Sequence, residues 1–196
     1  MSAMLRTSLR VLTVGLVLAT VALFAAPAGA LTDAEEWSDT FCTETGSWLS
    51  GAQAGAEELS AQAEDPSLTP ADGKALIVDY VSTGADATKA FGQAMKRAGV
   101  PDVKNGARIQ AAILAGIAGS EAKLIALEKA AKTLPTKSPT AFQKGAEKLA
   151  KGLSSFSEPF QKGLSKAESL DTSGELDAAL SAQASCADLE QFVTGG

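Results

Sequence analysis

The chain has 196 residues, with 17 basic and 23 acidic side chains and a formal net charge of −6. It contains no histidine, which removes the commonest general base, the commonest metal ligand and every histidine-dependent catalytic triad. The acidic balance argues against nucleic-acid binding. The composition therefore predicts a non-catalytic protein without a cofactor, a metal site or a nucleic-acid partner.

Residues 1–30 have the features of a secretory signal peptide. Two arginines precede an apolar run at residues 11–24, and an Ala-Gly-Ala cleavage signal ends at Ala30. The run is shorter than the roughly 20 residues that a membrane-spanning helix needs, and no later apolar stretch approaches that length. We predict cleavage after Ala30, a secreted or cell-envelope location, and one mature domain, 31–196, without a transmembrane segment. The alternative is an uncleaved membrane anchor.

Periodic apolar residues, caps and prolines divide the mature chain into helices. Helix one is predicted to begin at a capping box, Thr-Asp-Ala-Glu at 32–35, and to end at about Asp65. Helix two begins with a Thr69 cap followed by Pro70 at its first position, and Gly99 ends it.

Helix three is predicted to begin at Asp102, and its apolar face, the strongest in the mature chain, predicts a central position. Helix four begins at Ser138. Because Pro159 lies inside the apolar pattern of helix four, we expect a kink or break between Ser155 and Pro159. A second capping box at 172–175 predicts a shorter fifth helix.

These elements predict an all-α fold, an antiparallel bundle of four long helices plus a shorter C-terminal helix, because short connectors alternate with long helices. Cys42 and Cys186, the only cysteines, lie near the two ends of the mature chain. In an exported protein such a pair is most simply a disulfide, which would hold the last helix against the first. Two free or intermolecular thiols are the alternative.

Two glycines of helix one, Gly51 and Gly55, are four residues apart. This spacing permits a close helix–helix approach. The other interpretation, which we favour, is that the pair reflects a chain rich in alanine and glycine.

Charge is divided along the chain. Residues 31–73 carry ten acidic and no basic side chains, 74–166 carry 15 basic and seven acidic ones, and 167–196 carry six acidic and no basic ones. The first and last helices thus form an acidic half and the middle helices a basic half. Five lysines lie on roughly one face of predicted helix four: Lys144, Lys148, Lys151, Lys162 and Lys166.

The five lysines, here called the lysine ridge, permit two interpretations. They would contact an anionic cell-envelope polymer, lipid headgroups or another envelope protein. Alternatively they form a solvated face that also attracts the acidic helices, which is the commoner role of a charge run.

An apolar cavity is the other candidate binding feature. Five side chains would line it between helices three and four, near the expected break: Ile113, Ile117, Phe142, Phe156 and Phe160. Such a cavity would make the protein a carrier of an apolar small molecule or lipid. The alternative is that these residues simply form core, as stripes at helical spacing usually do.

Two connectors carry a resemblance: Val-Pro-Asp-Val-Lys-Asn-Gly at 100–106 and Leu-Pro-Thr at 134–136. With the export signal, the paired cysteines and the tryptophan-containing first helix, they resemble uncharacterised small secreted helical proteins of high-GC Gram-positive (actinobacterial) bacteria. The resemblance implies an envelope or extracellular setting and supplies no catalytic residues. The leading hypothesis is a non-catalytic interaction or structural protein of the cell envelope or medium.

Overall fold

The computed structural model describes residues 30–187, so the predicted signal peptide lies outside it except for Ala30. This part of the chain is predominantly α-helical, which confirms the all-α prediction. Its helices are α1 (Ala34–Ala63), α2 (Pro70–Ala98), α3 (Gly106–Lys132), α4 (Pro139–Leu153), α5 (Glu158–Leu170) and α6 (Glu175–Ala182). Two short strands, β1 (Leu31–Thr32) and β2 (Val100–Pro101), pair in parallel.

The strand pair changes how α1 begins. Thr32 belongs to β1 and donates its hydroxyl to the Ala98 carbonyl at 2.6 Å, so it does not cap the helix. The cap is Asp33, whose carboxylate accepts the Glu35 backbone N–H at 2.9 Å. The predicted capping box at 32–35 is therefore wrong, because a tertiary contact takes the threonine that the pattern assigned to the helix.

The start of α2 confirms the sequence pattern. Thr69 and Asp72 cap the helix reciprocally, each side chain bonding to the backbone N–H of the other. Pro70 occupies the first helical position, and the helix ends at Gly99, where φ is 80°. A Cβ atom at Gly99 would lie 2.6 Å from the Ala30 carbonyl oxygen, so the close passage of the chain before β1 requires glycine there.

The start of α3 differs from the prediction. The helix begins at Gly106 instead of Asp102, because the intervening residues form a turn that ends at Asn105 with φ at 64°. The Asn105 side chain donates to the Leu170 carbonyl at 2.9 Å, which ties this turn to the end of α5.

α3 is the central helix, as predicted, and contacts α2, α4 and α5. It is also the one helix among the described residues that is long and apolar enough to cross a membrane, with a mean hydropathy of 1.3 over its most apolar window. The prediction that no later apolar stretch reaches such a length is therefore wrong. The central position explains the hydropathy, because the apolar side chains of α3 form the contacts with its neighbours.

The predicted fourth helix is two helices. Residues 154–157 separate α4 from α5, so the expected disruption near Pro159 is a break. α5 then packs against α3 at backbone distance: a Cβ atom at Gly163 would lie 2.8 Å from the Ala112 carbonyl oxygen. Lys123 of α3 supports the break by donating to the Ser155 carbonyl at 2.7 Å and pairing with Glu158 at 3.0 Å.

The C-terminal segment packs against α1. The predicted disulfide between Cys42 and Cys186 is present, and Gln183 and Ser185 add hydrogen bonds to the first turns of α1. The predicted capping box at 172–175 is wrong: α6 begins after Gly174, which has φ at 72° and no side-chain cap.

Candidate ligand-binding cleft

An apolar cleft lies between α1 and α2, with the end of α4 and one residue of α3 closing its base. Its cavity volume is about 100 Å³. Its lining residues are Trp48, Gly51, Ala52, Gly55, Tyr80, Val81, Thr83, Gly84, Ala87, Leu124, Leu153 and Phe156. None of them is charged, so the cleft offers an apolar site with few polar groups.

The cleft exists chiefly because Gly51 leaves space that no neighbour fills, while Gly84 adds room for a Cβ atom in ordinary contact with Leu124. A Cβ atom at Gly51 would meet nothing within 4 Å, and one at Gly84 would be 3.9 Å from the nearest Leu124 carbon. Gly55 is different, because a Cβ atom there would lie 3.2 Å from the Tyr80 ring. Gly51 and Gly55 thus do not form a uniform close-approach seam: one opens the cleft and the other accommodates a tyrosine.

Trp48 forms the most constrained wall of the cleft. Its indole N–H donates to the Thr88 hydroxyl at 2.9 Å, and that hydroxyl donates to the Gly84 carbonyl at 2.8 Å. The indole also stacks on Phe91 and meets the edges of Phe156 and Phe160. Since its only polar group is already satisfied, Trp48 contributes a fixed apolar surface.

A second, more polar depression adjoins the cleft along the same two helices. Gly55, Tyr80 and Thr83 line both, and the depression adds Glu58 and Asp79, with Leu59, Gln62 and Leu76. We call the Glu58 and Asp79 side the acidic end. Burial raises the pKa of the half-buried Tyr80 phenol above its ordinary value of 10.0, so Tyr80 remains a neutral hydrogen-bonding group at this junction.

The structure separates the five side chains that were predicted to line a cavity. Ile113, Ile117 and Phe160 are at most 5% exposed and belong to the main core, where α5 lies too close to α3 to leave room. Phe156 is the one member that lines the cleft. Phe142 packs elsewhere. It lies against Gly73, at the place where α4 meets the end of α3. The cleft therefore lies mainly between α1 and α2, and not between α3 and the predicted fourth helix.

The lysine ridge is exposed but divided. Lys144, Lys148 and Lys151 lie on α4, whereas Lys162 and Lys166 lie on α5 beyond the break. Within residues 30–187, none of the five forms a salt bridge; the two ion pairs there involve Lys123 and Lys132. Each lysine group is thus a separate candidate contact for an anionic partner.

Sequence reasoning missed the cleft because its defining residues are glycines and alanines on helices. The one available signal was the Gly51 and Gly55 pair, but its spacing does not distinguish a close approach from an open wall. Among residues 30–187, no group of three or more acidic or cysteine side chains is placed to hold a metal ion. No protein-family model matches the sequence, and no curated protein or solved structure matches it significantly.

Proposed function

We propose that this chain is an exported, non-catalytic binding protein of the cell envelope or the surrounding medium, and that the apolar cleft is its ligand site. The observation that carries the proposal is the open wall at Gly51. Trp48, Leu124 and Phe156 line a space that a single larger side chain at position 51 would cover. Leaving such surface uncovered costs about 25 cal/mol per Å² of apolar area, a cost that a bound ligand offsets.

The export part of this proposal has separate support. The signal-peptide pattern of residues 1–30 indicates secretion, and the Cys42–Cys186 disulfide fits an oxidising compartment. The proposed kinship with small secreted actinobacterial proteins rests on the export signal, the paired cysteines, the tryptophan-containing first helix and the two connector phrases. The antiparallel course of the long helices rests on the short connectors between them.

A neutral apolar fluorophore, N-phenyl-1-naphthylamine, tests the ligand site. We expect its phenyl ring to enter the cleft of the wild type, with the naphthyl group at the open side and enhanced emission, and Gly51→Leu to weaken binding by at least about tenfold because the leucine fills the cleft. Gly84→Leu fills the same space from α2 and should act alike. Ser50→Leu is the matched control, because Ser50 is exposed on α1 and does not line the cleft.

Circular dichroism and thermal melting must show that each variant keeps the wild-type fold. The proposed site is wrong if the wild type leaves the fluorophore unbound, or if both cleft-filling variants bind it as well as Ser50→Leu does.

The lysine ridge supports a second candidate function, binding of an anionic envelope polymer. Five exposed lysines without ion pairs among the described residues are the supporting observation. We expect Lys144→Glu, Lys148→Glu and Lys151→Glu together to abolish salt-sensitive retention on envelope preparations. Lys162→Glu with Lys166→Glu tests the α5 group separately. Retention unchanged by either set would show that the lysines are only a solvated face.

A further inference from the structure

We propose that the cleft takes a small organic cation: an aromatic ring or short branched alkyl group enters the apolar cleft, and an attached ammonium group lies over the acidic end. This inference rests on the proposed function and adds the chemical class of the ligand. Its basis is that the uncharged apolar cleft adjoins a depression lined by Glu58 and Asp79, and that the two share Gly55, Tyr80 and Thr83.

The size of the cleft limits the apolar group. A cavity of about 150 Å³ in a protein core is known to hold benzene. This cleft has about 100 Å³ and is open on one side. A single ring or a branched chain of a few carbons therefore fits, with the remainder of the ligand outside, whereas a whole lipid chain does not.

The charges around the cleft specify the sign of the polar group. Neither the apolar cleft nor the acidic end is lined by a lysine or arginine, and residues 31–73, which include all of α1, contain no basic side chain. Beyond the end of α1, Asp65 of the connecting loop and Asp72 of α2 line a third depression, and hydrogen bonds from Ser67 and Thr69 hold the pKa of each carboxyl below its ordinary value. The two depressions beside the apolar cleft are thus lined by acidic and not by basic side chains, an arrangement that attracts cations.

Tyr80 connects the two parts. Its ring lines both the apolar cleft and the acidic end, so a ligand that spans the junction passes along the tyrosine. A cation near an aromatic ring face gains attraction from the ring quadrupole in addition to that from the carboxylates. A ligand with two or three bonds between ring and ammonium matches this order of contacts: apolar wall, tyrosine, carboxylates.

The test uses three probes with the same phenyl-alkyl body: 2-phenylethylammonium, 2-phenylethanol and 3-phenylpropanoate. Affinities are measured by the shift of the Trp48 indole N–H resonance. We expect the ammonium to bind about five- to tenfold tighter than the alcohol at low salt, since two exposed carboxylates act through a high dielectric. The carboxylate should bind weakest, and about 0.5 M salt should remove most of the difference.

Glu58→Gln with Asp79→Asn should bring the ammonium to the affinity of the alcohol and leave the alcohol unchanged. Glu36→Gln with Glu168→Gln removes the same number of charges at exposed positions outside the cleft and should preserve the preference. Equal binding of ammonium and alcohol by the wild type would overturn the cation inference while fluorophore binding still supports the cleft. The cation inference would also be overturned if 3-phenylpropanoate bound most tightly of the three. The same holds if none of the three probes binds while the fluorophore binds normally.

Discussion

The two halves of α1 have the same helical backbone and opposite environments. From Trp37 to Trp48 the helix contributes six buried residues, and from Gly51 onward it contributes none. The first half lies between α2, α3 and the C-terminal segment, whereas the second packs on α2 and borders the cleft. We infer that the first half stabilises the fold and that the second half is available for binding, so changes in the two halves should have different consequences.

Loss of the disulfide should give the largest effect, because it acts on the stabilising half. Cys42→Ala with Cys186→Ala opens a loop of 144 residues. We expect the free energy of unfolding to fall by about 3 to 5 kcal/mol, measured by urea denaturation. Reduction of the wild type under the same conditions is the control and should give a similar loss. A loss below about 1 kcal/mol would mean that packing alone holds α6 on α1.

Trp37 and Leu59 test the contrast between the halves directly. Trp37 is fully buried, and its indole N–H lies 3.2 Å from both the Gly99 carbonyl and the Gln110 side-chain oxygen. Trp37→Phe leaves these acceptors without their donor and opens a cavity, so we expect a loss of about 2 to 4 kcal/mol. Leu59 is half-buried, and Leu59→Ala should cost less than about 1 kcal/mol. Equal losses in urea denaturation would contradict the division of α1.

Several elements could be predicted because the residues that determine them are local. Thr69 with Pro70 marks a helix start, and a proline inside an apolar helical pattern kinks or breaks a helix, so the start of α2 and a disruption between residues 155 and 159 followed from the sequence. The disulfide also followed, since Cys42 and Cys186 had no alternative partners within the chain.

The parts that could not be predicted depend on contacts distant in sequence. From its sequence position Thr32 is expected to cap a helix, but it belongs to β1, which pairs with β2, and its hydroxyl bonds to a distant carbonyl instead. The turn before α3 depends on the hydrogen bond from the Asn105 side chain to the Leu170 carbonyl. The cleft depends on what faces each glycine. Gly163 faces the backbone of α3 while Gly51 faces open space, yet both are glycines inside helices. A one-dimensional pattern contains no information that separates these two cases.

Glycine-to-alanine changes sharpen the description of the cleft wall. At Gly51 an added Cβ atom meets nothing, so Gly51→Ala should stabilise the protein by about 0.5 to 1 kcal/mol through higher helix propensity. At Gly55 the same atom would lie 3.2 Å from the Tyr80 ring, which must shift. We expect Gly55→Ala to gain nothing or to destabilise slightly. Thermal denaturation of both variants measures the difference, and equal gains would show that Tyr80 does not pack against this wall.

The smallest effect concerns Tyr80, the only tyrosine of the chain. Burial raises the pKa of its phenol above 10.0 in the folded protein. Folding stability should therefore not depend on this group below pH 10.0, and should decline as the pH rises from there through the folded pKa, because the unfolded chain loses the proton first. Phenolate absorbance, followed with pH in native buffer and in urea, measures the two titrations separately.

Ligand binding should move the same titration in a direction that depends on ligand charge. A neutral apolar ligand in the cleft excludes water from the Tyr80 ring and should raise the phenol pKa further. An ammonium group over the acidic end adds a nearby positive charge, which favours the phenolate and should offset that rise. A folded curve that coincides with the curve in urea would show that solvent surrounds Tyr80. Identical shifts with 2-phenylethanol and trimethyl(2-phenylethyl)ammonium, whose positive charge persists at the alkaline pH of this titration, would place the ammonium away from the tyrosine and the acidic end.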